Sequence, residues 1–256
     1  MFPWADRGSL LDVWRSEDSG RRAVWSLEQM LGLADALRIL HTLNFRHGDL
    51  KPDNILHFTD GVDTLVIADV GVSTIHEAAT NARSGATLNQ ATTKAYEAPD
   101  AFIDAYHRKP RSRVYDIWSL GCIYLEFIIW LLYGYDAIDT FNHVRGFPNY
   151  SFYQRLGEDK AVVHPDVVKA MKLLFEDPLC KPCTAINDLL KLIEQDLLVV
   201  DVKVRVTAEV LYGKLKDIVH RAKEHCLHLR QTTDPSSEIP EMFRPRLHSN
   251  PDKEPL

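Results

Sequence analysis

The stretch His47-Gly48-Asp49-Leu50-Lys51-Pro52-Asp53-Asn54-Ile55-Leu56 lies where one sequence pattern gives way to another. Upstream, Met30, Leu33, Ala34, Leu37, Leu40, His41 and Leu43 recur at helical spacing. Ser26 with Gln29 three residues later reads as a capping box that opens this helix. Gly48 and Pro52 break the regularity, as a turn requires. Downstream, residues 54–58 and 64–68 are short branched or aromatic runs separated by Thr59-Asp60-Gly61-Val62-Asp63. Asp-Gly between two such runs predicts a β-hairpin. On residue chemistry alone, the ten residues form a Gly/Pro turn between a helix and a hairpin, carrying solvated charges.

Further along, residues 114–133 are apolar on nearly all sides, which predicts a helix running through the core. Residues 9–18, 136–144, 166–175, 185–198 and 207–228 also read as helices. Residues 72–94 are rich in Ala, Thr, Ser and Asn without apolar period and read as a long loop. From Gln231 the chain is rich in Pro, Ser, Asp and Glu and is expected to be mobile. The architecture expected is mainly α with a small β-hairpin.

The opening stretch resembles the protein-kinase catalytic loop H-R-D-L-x-x-x-N, with every position but the arginine matched. The resemblance makes Asp49 the base that accepts the substrate hydroxyl proton. It makes Lys51 the phosphate contact, in the form seen in serine/threonine kinases, and Asn54 a magnesium ligand. Asp69-Val70-Gly71 resembles the metal-binding D-F-G, with Asp69 the second ligand. Tyr96-Glu97-Ala98-Pro99-Asp100 resembles the Y-x-A-P-E that ends the activation segment, and the resemblance pairs Asp100 with Arg205 as a structural ion pair. Asp116-Ile117-Trp118-Ser119-Leu120-Gly121 resembles the D-x-W-S-x-G of the central helix, whose aspartate props the catalytic loop. His47 and Thr93 take further supporting positions. The four matches lie in the family's order and cover about residues 1–228, leaving 229–256 as a tail. The fold implied is the C-terminal lobe of a serine/threonine protein kinase.

The resemblance is partial. No G-x-G-x-x-G precedes Asp49, and Lys51 is the first lysine in the chain, so the strand lysine that holds nucleotide phosphates has no counterpart. Phe2-Pro3-Trp4-Ala5-Asp6-Arg7-Gly8 looks like the hinge between lobes. It would place Phe2 as gatekeeper, the Pro3 carbonyl and Ala5 N–H against an adenine, and Leu56 as its floor. The expectation is a chain that starts where the small lobe ends and is inactive alone. Gly48 stands where the family's arginine can clamp a phosphorylated loop, and Arg46 is one residue early, so loop phosphorylation is not expected to act by that route. Two readings follow. One is a kinase transferring the ATP γ-phosphoryl group, with Mg2+, to a protein hydroxyl; the other is a kinase-like module without catalysis, used for protein binding or regulation. Substrate choice would be set by the loop before Ala98 and the helices after Gly134.

Composition agrees with a folded domain. Residues are 45% hydrophobic and 26% charged, within the ordinary globular range. A net charge of −6 without basic runs argues against nucleic-acid or membrane-surface partners. Residues 117–135 are long enough for a membrane span, but Glu126 in the middle favours a core helix. Four cysteines are too few for a disulfide scaffold. Cys180 and Cys183 form one CxxC; a structural zinc would need a second pair, for which only His225 and Cys226 offer themselves, and a Pro-flanked turn is the preferred reading. With no signal peptide read, the expected location is cytoplasmic or nuclear.

Overall fold

The computed structural model describes residues 5–16, 23–59, 61, 63–69, 94–107, 112–146, 150–224 and 239–245. In chain order the elements are α1 (Leu10–Ser16), α2 (Ala23–Thr42), β1 (Ile55–Phe58), β2 (Thr64–Ile67), α3 (Asp100–Tyr106), α4 (Tyr115–Tyr133), α5 (Tyr135–Val144), β3 (Tyr153–Arg155), β4 (Ala161–Val163), α6 (Pro165–Glu176), α7 (Ala185–Leu192) and α8 (Ala208–Glu224). The expected mainly helical architecture is what the chain adopts.

Helix α4 is the axis. Every residue from Tyr115 to Trp130 is buried, as its all-round apolar sequence demands. Helix α2 packs beside it through Leu27, Met30, Leu33, Ala34 and Leu37. The Tyr124 hydroxyl donates to the Met30 carbonyl at 2.5 Å, and Trp130 Nε1 donates to the Trp14 carbonyl at 3.0 Å, so α4 is tied to α2 and α1 by polar atoms within an apolar core. On its other side α4 meets the π-helical turn Ile193–Leu197 that ends α7. A β-carbon at Gly121 would stand 2.8 Å from the Leu197 β-carbon, so this approach requires glycine.

The hairpin is antiparallel, with Ile55 opposite Ile67 and Phe58 opposite Thr64. The Ser26–Gln29 capping box is not formed. Helix α2 already runs from Ala23, and Ser26 is buried inside it with its hydroxyl unpaired among the described residues. Gln29 serves the hairpin instead: its Nε2 donates to the Asp63 carbonyl at 3.2 Å and its Oε1 accepts the Leu65 N–H at 2.8 Å.

Two elements have no counterpart in the sequence reading: α3 and the second hairpin, β3–β4. They pack together, with Phe102 stacked on Tyr153 at 5.6 Å between ring centroids. The tail also differs from expectation. Within 229–256, residues 239–245 are seated on the core: Phe243 is buried, its ring stacks on Tyr133 at 5.1 Å, and the Arg244 carbonyl accepts the Thr140 hydroxyl at 3.2 Å. An aromatic anchor among polar residues overrides the composition of the segment. The rest of that tail, and the expected loop apart from Lys94, lie outside the described residues.

Candidate active site

The catalytic-loop stretch hangs from the core helix. Asp116, in the first turn of α4, accepts the backbone N–H of His47 on Oδ2 at 2.9 Å and that of Gly48 on Oδ1 at 2.8 Å. His41 Nε2, from the last turn of α2, lies 2.9 Å from Oδ2. Gly48 has φ of 80°, a conformation glycine adopts without steric cost and one that aims its N–H at Asp116. The Arg46 guanidinium sits 5.9 Å over the Tyr115 ring.

His47 is buried and bridges two segments. Its Nε2 donates to the Ala68 carbonyl at 2.7 Å, while its Nδ1 accepts the Asp49 N–H at 3.3 Å. These partners set the ring's tautomer. They also fix the distance between the turn that carries Asp49 and the end of β2, where Asp69 follows.

Asp49, Lys51 and Asn54 are brought together. Lys51 Nζ lies 3.1 Å from Asp49 Oδ2. Asn54 Nδ2 donates to the Asp49 carbonyl at 2.8 Å and to its Oδ2 at 3.2 Å. Pro52–Asn54 form a single 3-10 turn, which folds the five-residue spacing back on itself. Asp69 is exposed with φ of 57°, one residue beyond Ala68, whose N–H bonds the Asn54 carbonyl at 2.9 Å. With Asn54 Nδ2 committed to Asp49, its Oδ1 is the atom left for a cation. An amide oxygen and an exposed carboxylate are hard-oxygen donors of the kind magnesium takes together with substrate phosphates, so in donor type the residues fit that ion. No cluster of three or more His, Cys, Asp or Glu occurs among the described residues, and Cys180 is buried while Cys183 is exposed, both as free thiols.

The proposed adenine edge is partly described. Ser9 bridges Leu56, and the His57 N–H donates to the Gly8 carbonyl at 2.9 Å, so the segment carrying Ala5 runs along β1. Ala5 and Leu56 are each partly buried. Phe2, Pro3, Thr93, Val70 and Gly71 lie outside the described residues.

Asp100 and Arg205 form a buried two-point ion pair, 2.7 and 3.0 Å. The remaining guanidinium donors meet the carbonyls of Val199, Val114 and Val200. Each charged group is thus both paired and hydrogen-bonded, as burial requires.

A second buried network was not foreseen. Glu126 Oε1 lies 3.2 Å from Arg145 Nη2, and its Oε2 accepts the Tyr96 hydroxyl at 2.7 Å. Burial pushes the Glu126 carboxyl above the ordinary carboxylate range, with Arg145 and Tyr96 pulling it back. Burial also holds the Tyr96 hydroxyl well above its ordinary value, reinforced by Glu126. The signal available in sequence was Glu126 itself: a carboxylate in the middle of an apolar helix needs a partner. Nothing in the residues around Arg145 marks it as that partner.

A family model described as protein kinase domain matches residues 2–214, and the chain belongs to that family. A serine/threonine-protein kinase H1 homolog of Danio rerio is 34% identical over 124 residues, 46% of this chain and 26% of that protein. Human serine/threonine-protein kinase H1 is 31% identical over 122 residues, again 46% of this chain and 26% of the relative. The probable serine/threonine-protein kinase KKQ8 of Saccharomyces cerevisiae is 33% identical over 100 residues, 39% of this chain and 13% of that protein. The chain thus spans about a quarter or less of the length of these relatives. Helix α4, the one helix among the described residues long and apolar enough to cross a membrane, has 89% of its apolar window buried in the fold.

Proposed function

We propose that residues 1–228, with the seated segment 239–245, form the large lobe of a serine/threonine protein kinase that moves the γ-phosphoryl group of ATP to a protein hydroxyl. The observation that carries the reading is the Asp49 carboxylate, held between Lys51 Nζ and Asn54 Nδ2 on a turn suspended from α4. In this reading Asp49 orients the incoming Ser or Thr hydroxyl and takes its proton as the oxygen attacks. Lys51, already against that carboxylate, sets its orientation and supplies positive charge to the transferring group. Asn54 Oδ1 and Asp69 would hold magnesium, which when bound offsets phosphate charge. Leu56 would pack under the adenine and the Ala5 N–H would meet its edge. His47, Thr93, Asp100, Asp116 and Arg205 support the site without touching reactants. The partners are ATP and a protein substrate, with no role for nucleic acid or membrane, in the cytoplasm or nucleus.

Catalysis of this kind is nearly all positioning and charge stabilisation. Residues 1–256 hold no Gly-rich loop and no lysine ahead of Lys51, so they are expected to show little turnover by themselves. The test is phosphate transfer to a Ser/Thr peptide library by the protein purified from its own cells, beside its Asp49→Asn variant. Turnover that disappears in the variant at unchanged melting temperature supports the reading. Equal turnover in both refutes the role of Asp49. A folded native protein that transfers nothing, and captures a protein partner instead, would favour the kinase-like binding module, which Gly48 and Val70 in place of the family's Arg and Phe also suit.

A further inference from the structure

Helix α2 ends in a Schellman turn. Asn44 has φ of 63°, its N–H donates to the His41 carbonyl at 3.1 Å, and the Phe45 N–H donates to the Leu40 carbonyl at 3.0 Å. The motif commonly sets an apolar residue at the position of Phe45, to cover the last turn of the helix. Here the cover leaves much in solvent: Phe45 stays 56% exposed and Leu43 62%. Ile39, one helical turn before Leu43 on the same face, is exposed as well.

Helix α8 brings two more apolar side chains to this corner. It runs antiparallel to α2, with Lys223 against Glu28 at 2.5 Å near one end and Glu209 against Arg38 at 3.5 Å towards the other. Val210, beside Glu209, and Val204, just before the helix, are both exposed. Arg205 Nη1 donates to the Val114 carbonyl at 3.0 Å, while Arg113 Nη1 donates to the His41 carbonyl at 3.2 Å and to Asn44 Oδ1. Arg113 and Val114 thus join the chain at 204–205 to the end of α2. Single exposed apolar side chains need no explanation, but a group of them around one corner marks an interaction site.

The charge at the corner says what fits it. Arg113 and Lys203 are exposed, and the side chain of neither meets a carboxylate among the described residues. Arg113 Nη1 is spent on neutral oxygens, which leaves the charge unbalanced. Arg38 differs, being held by Asp35 and Glu209. Two copies meeting here across a two-fold axis would set unpaired cations against their own kind. A bilayer would present its anionic plane to Asp35, Asp201 and Glu209 as well as to the cations. A narrow acidic segment can meet Arg113 and Lys203 alone.

We propose that this corner docks an acidic amphipathic segment of a partner protein, its apolar side chains on Ile39, Leu43 and Phe45 and its carboxylates on Arg113 and Lys203. The surface stands apart from the phosphotransfer reading, because none of these residues belongs to the proposed catalytic set.

The test exposes immobilised native-length protein to a displayed library of random peptides, beside the double variant Leu43→Ser with Phe45→Ser. Both side chains are exposed, so the variant should melt at the wild-type temperature. Peptides enriched on wild type alone should combine large apolar residues with Asp or Glu. The synthetic consensus peptide should bind at least about tenfold more weakly to Arg113→Glu and to Lys203→Glu. Exchanging its acids for lysine should restore binding to those variants, which a merely structural effect of the substitutions would not do. Lys203 keeps the test clean where Arg113→Glu loosens the end of α2, since the Lys203 side chain makes no bond among the described residues. Equal enrichment on the double variant, or a neutral or basic consensus, overturns the proposal. So does a wild-type dimer in sedimentation velocity, or binding to phosphatidylserine vesicles, that the double variant abolishes: the corner would then belong to a second copy or to a bilayer.

Discussion

Arg205 reaches across 105 residues of chain to take both carboxylate oxygens of Asp100, Nη2 to Oδ1 and Nη1 to Oδ2, in a site closed to solvent. The family pattern has the longer glutamate here. The shorter Asp100 still makes two-point contact because α3 begins at this residue and brings its carboxylate to the guanidinium. Removing one partner strands the other. Asp100→Ala or Arg205→Met should cost about 3–5 kcal/mol in denaturant unfolding, and the combination Asp100→Leu with Arg205→Met should recover most of that loss.

Gly121 and Gly32 both lie within helices yet predict opposite outcomes. An added β-carbon at Gly121 meets Leu197 at 2.8 Å, whereas at Gly32 it meets nothing within 4 Å. Gly121→Ala should destabilise by about 1–3 kcal/mol through overpacking. Gly32→Ala, on the outer face of α2, should stabilise by about 0.5–1 kcal/mol by restricting the unfolded chain. Thermal melts of the two single variants check both signs.

His164 caps α6, its Nδ1 accepting the Asp166 N–H at 3.2 Å. Burial lowers its imidazole from the ordinary value of 6.5, with Arg145 pushing the same way and Asp166 opposing. The folded protein therefore binds this proton less readily than the unfolded chain does. Its contribution to stability is whole above the unfolded value and is lost as pH falls through the folded one, when the protonated Nδ1 can no longer accept the cap bond. His164→Asn keeps an acceptor without titrating. Unfolding midpoints for this variant should vary less than wild type between about pH 7 and 5.

Phe243 is the anchor of residues 239–245, against Tyr133 and Phe141. Phe243→Ala should cost about 3–5 kcal/mol if the core cannot close the gap. It should also speed proteolytic cleavage between Ile239 and Arg244, which peptide mapping of limited digests would show.

Much of this was legible in the sequence because it depends on local pattern. Helical spacing located α2, an all-round apolar run located α4, short branched or aromatic runs about an Asp-Gly located the first hairpin, and the family resemblance singled out Asp49, Lys51, Asn54 and Asp116. The misses share a cause. Ser26 and Gln29 matched a capping rule, but Gln29 found better acceptors and donors in the hairpin 34 residues away. The β3–β4 hairpin, three residues in each strand, is too short for a periodic signal. Arg145 is seen only once α5 brings it to Glu126, a pairing across 19 residues that no spacing rule encodes. Phe243 sits in a segment whose composition is polar, and one aromatic ring carries the docking.

The amide of Gln29 has a meaning for how this lobe behaves among its own copies. A two-stranded hairpin presents two rows of backbone groups to which another strand can add. On the β2 side Gln29 occupies the Asp63 carbonyl and the Leu65 N–H, and on the β1 side residues 7–9 occupy the His57 backbone. At these described positions both margins are closed from within. Gln29→Ala reopens one of them while leaving every catalytic candidate in place, and should raise self-association, read by light scattering as concentration increases.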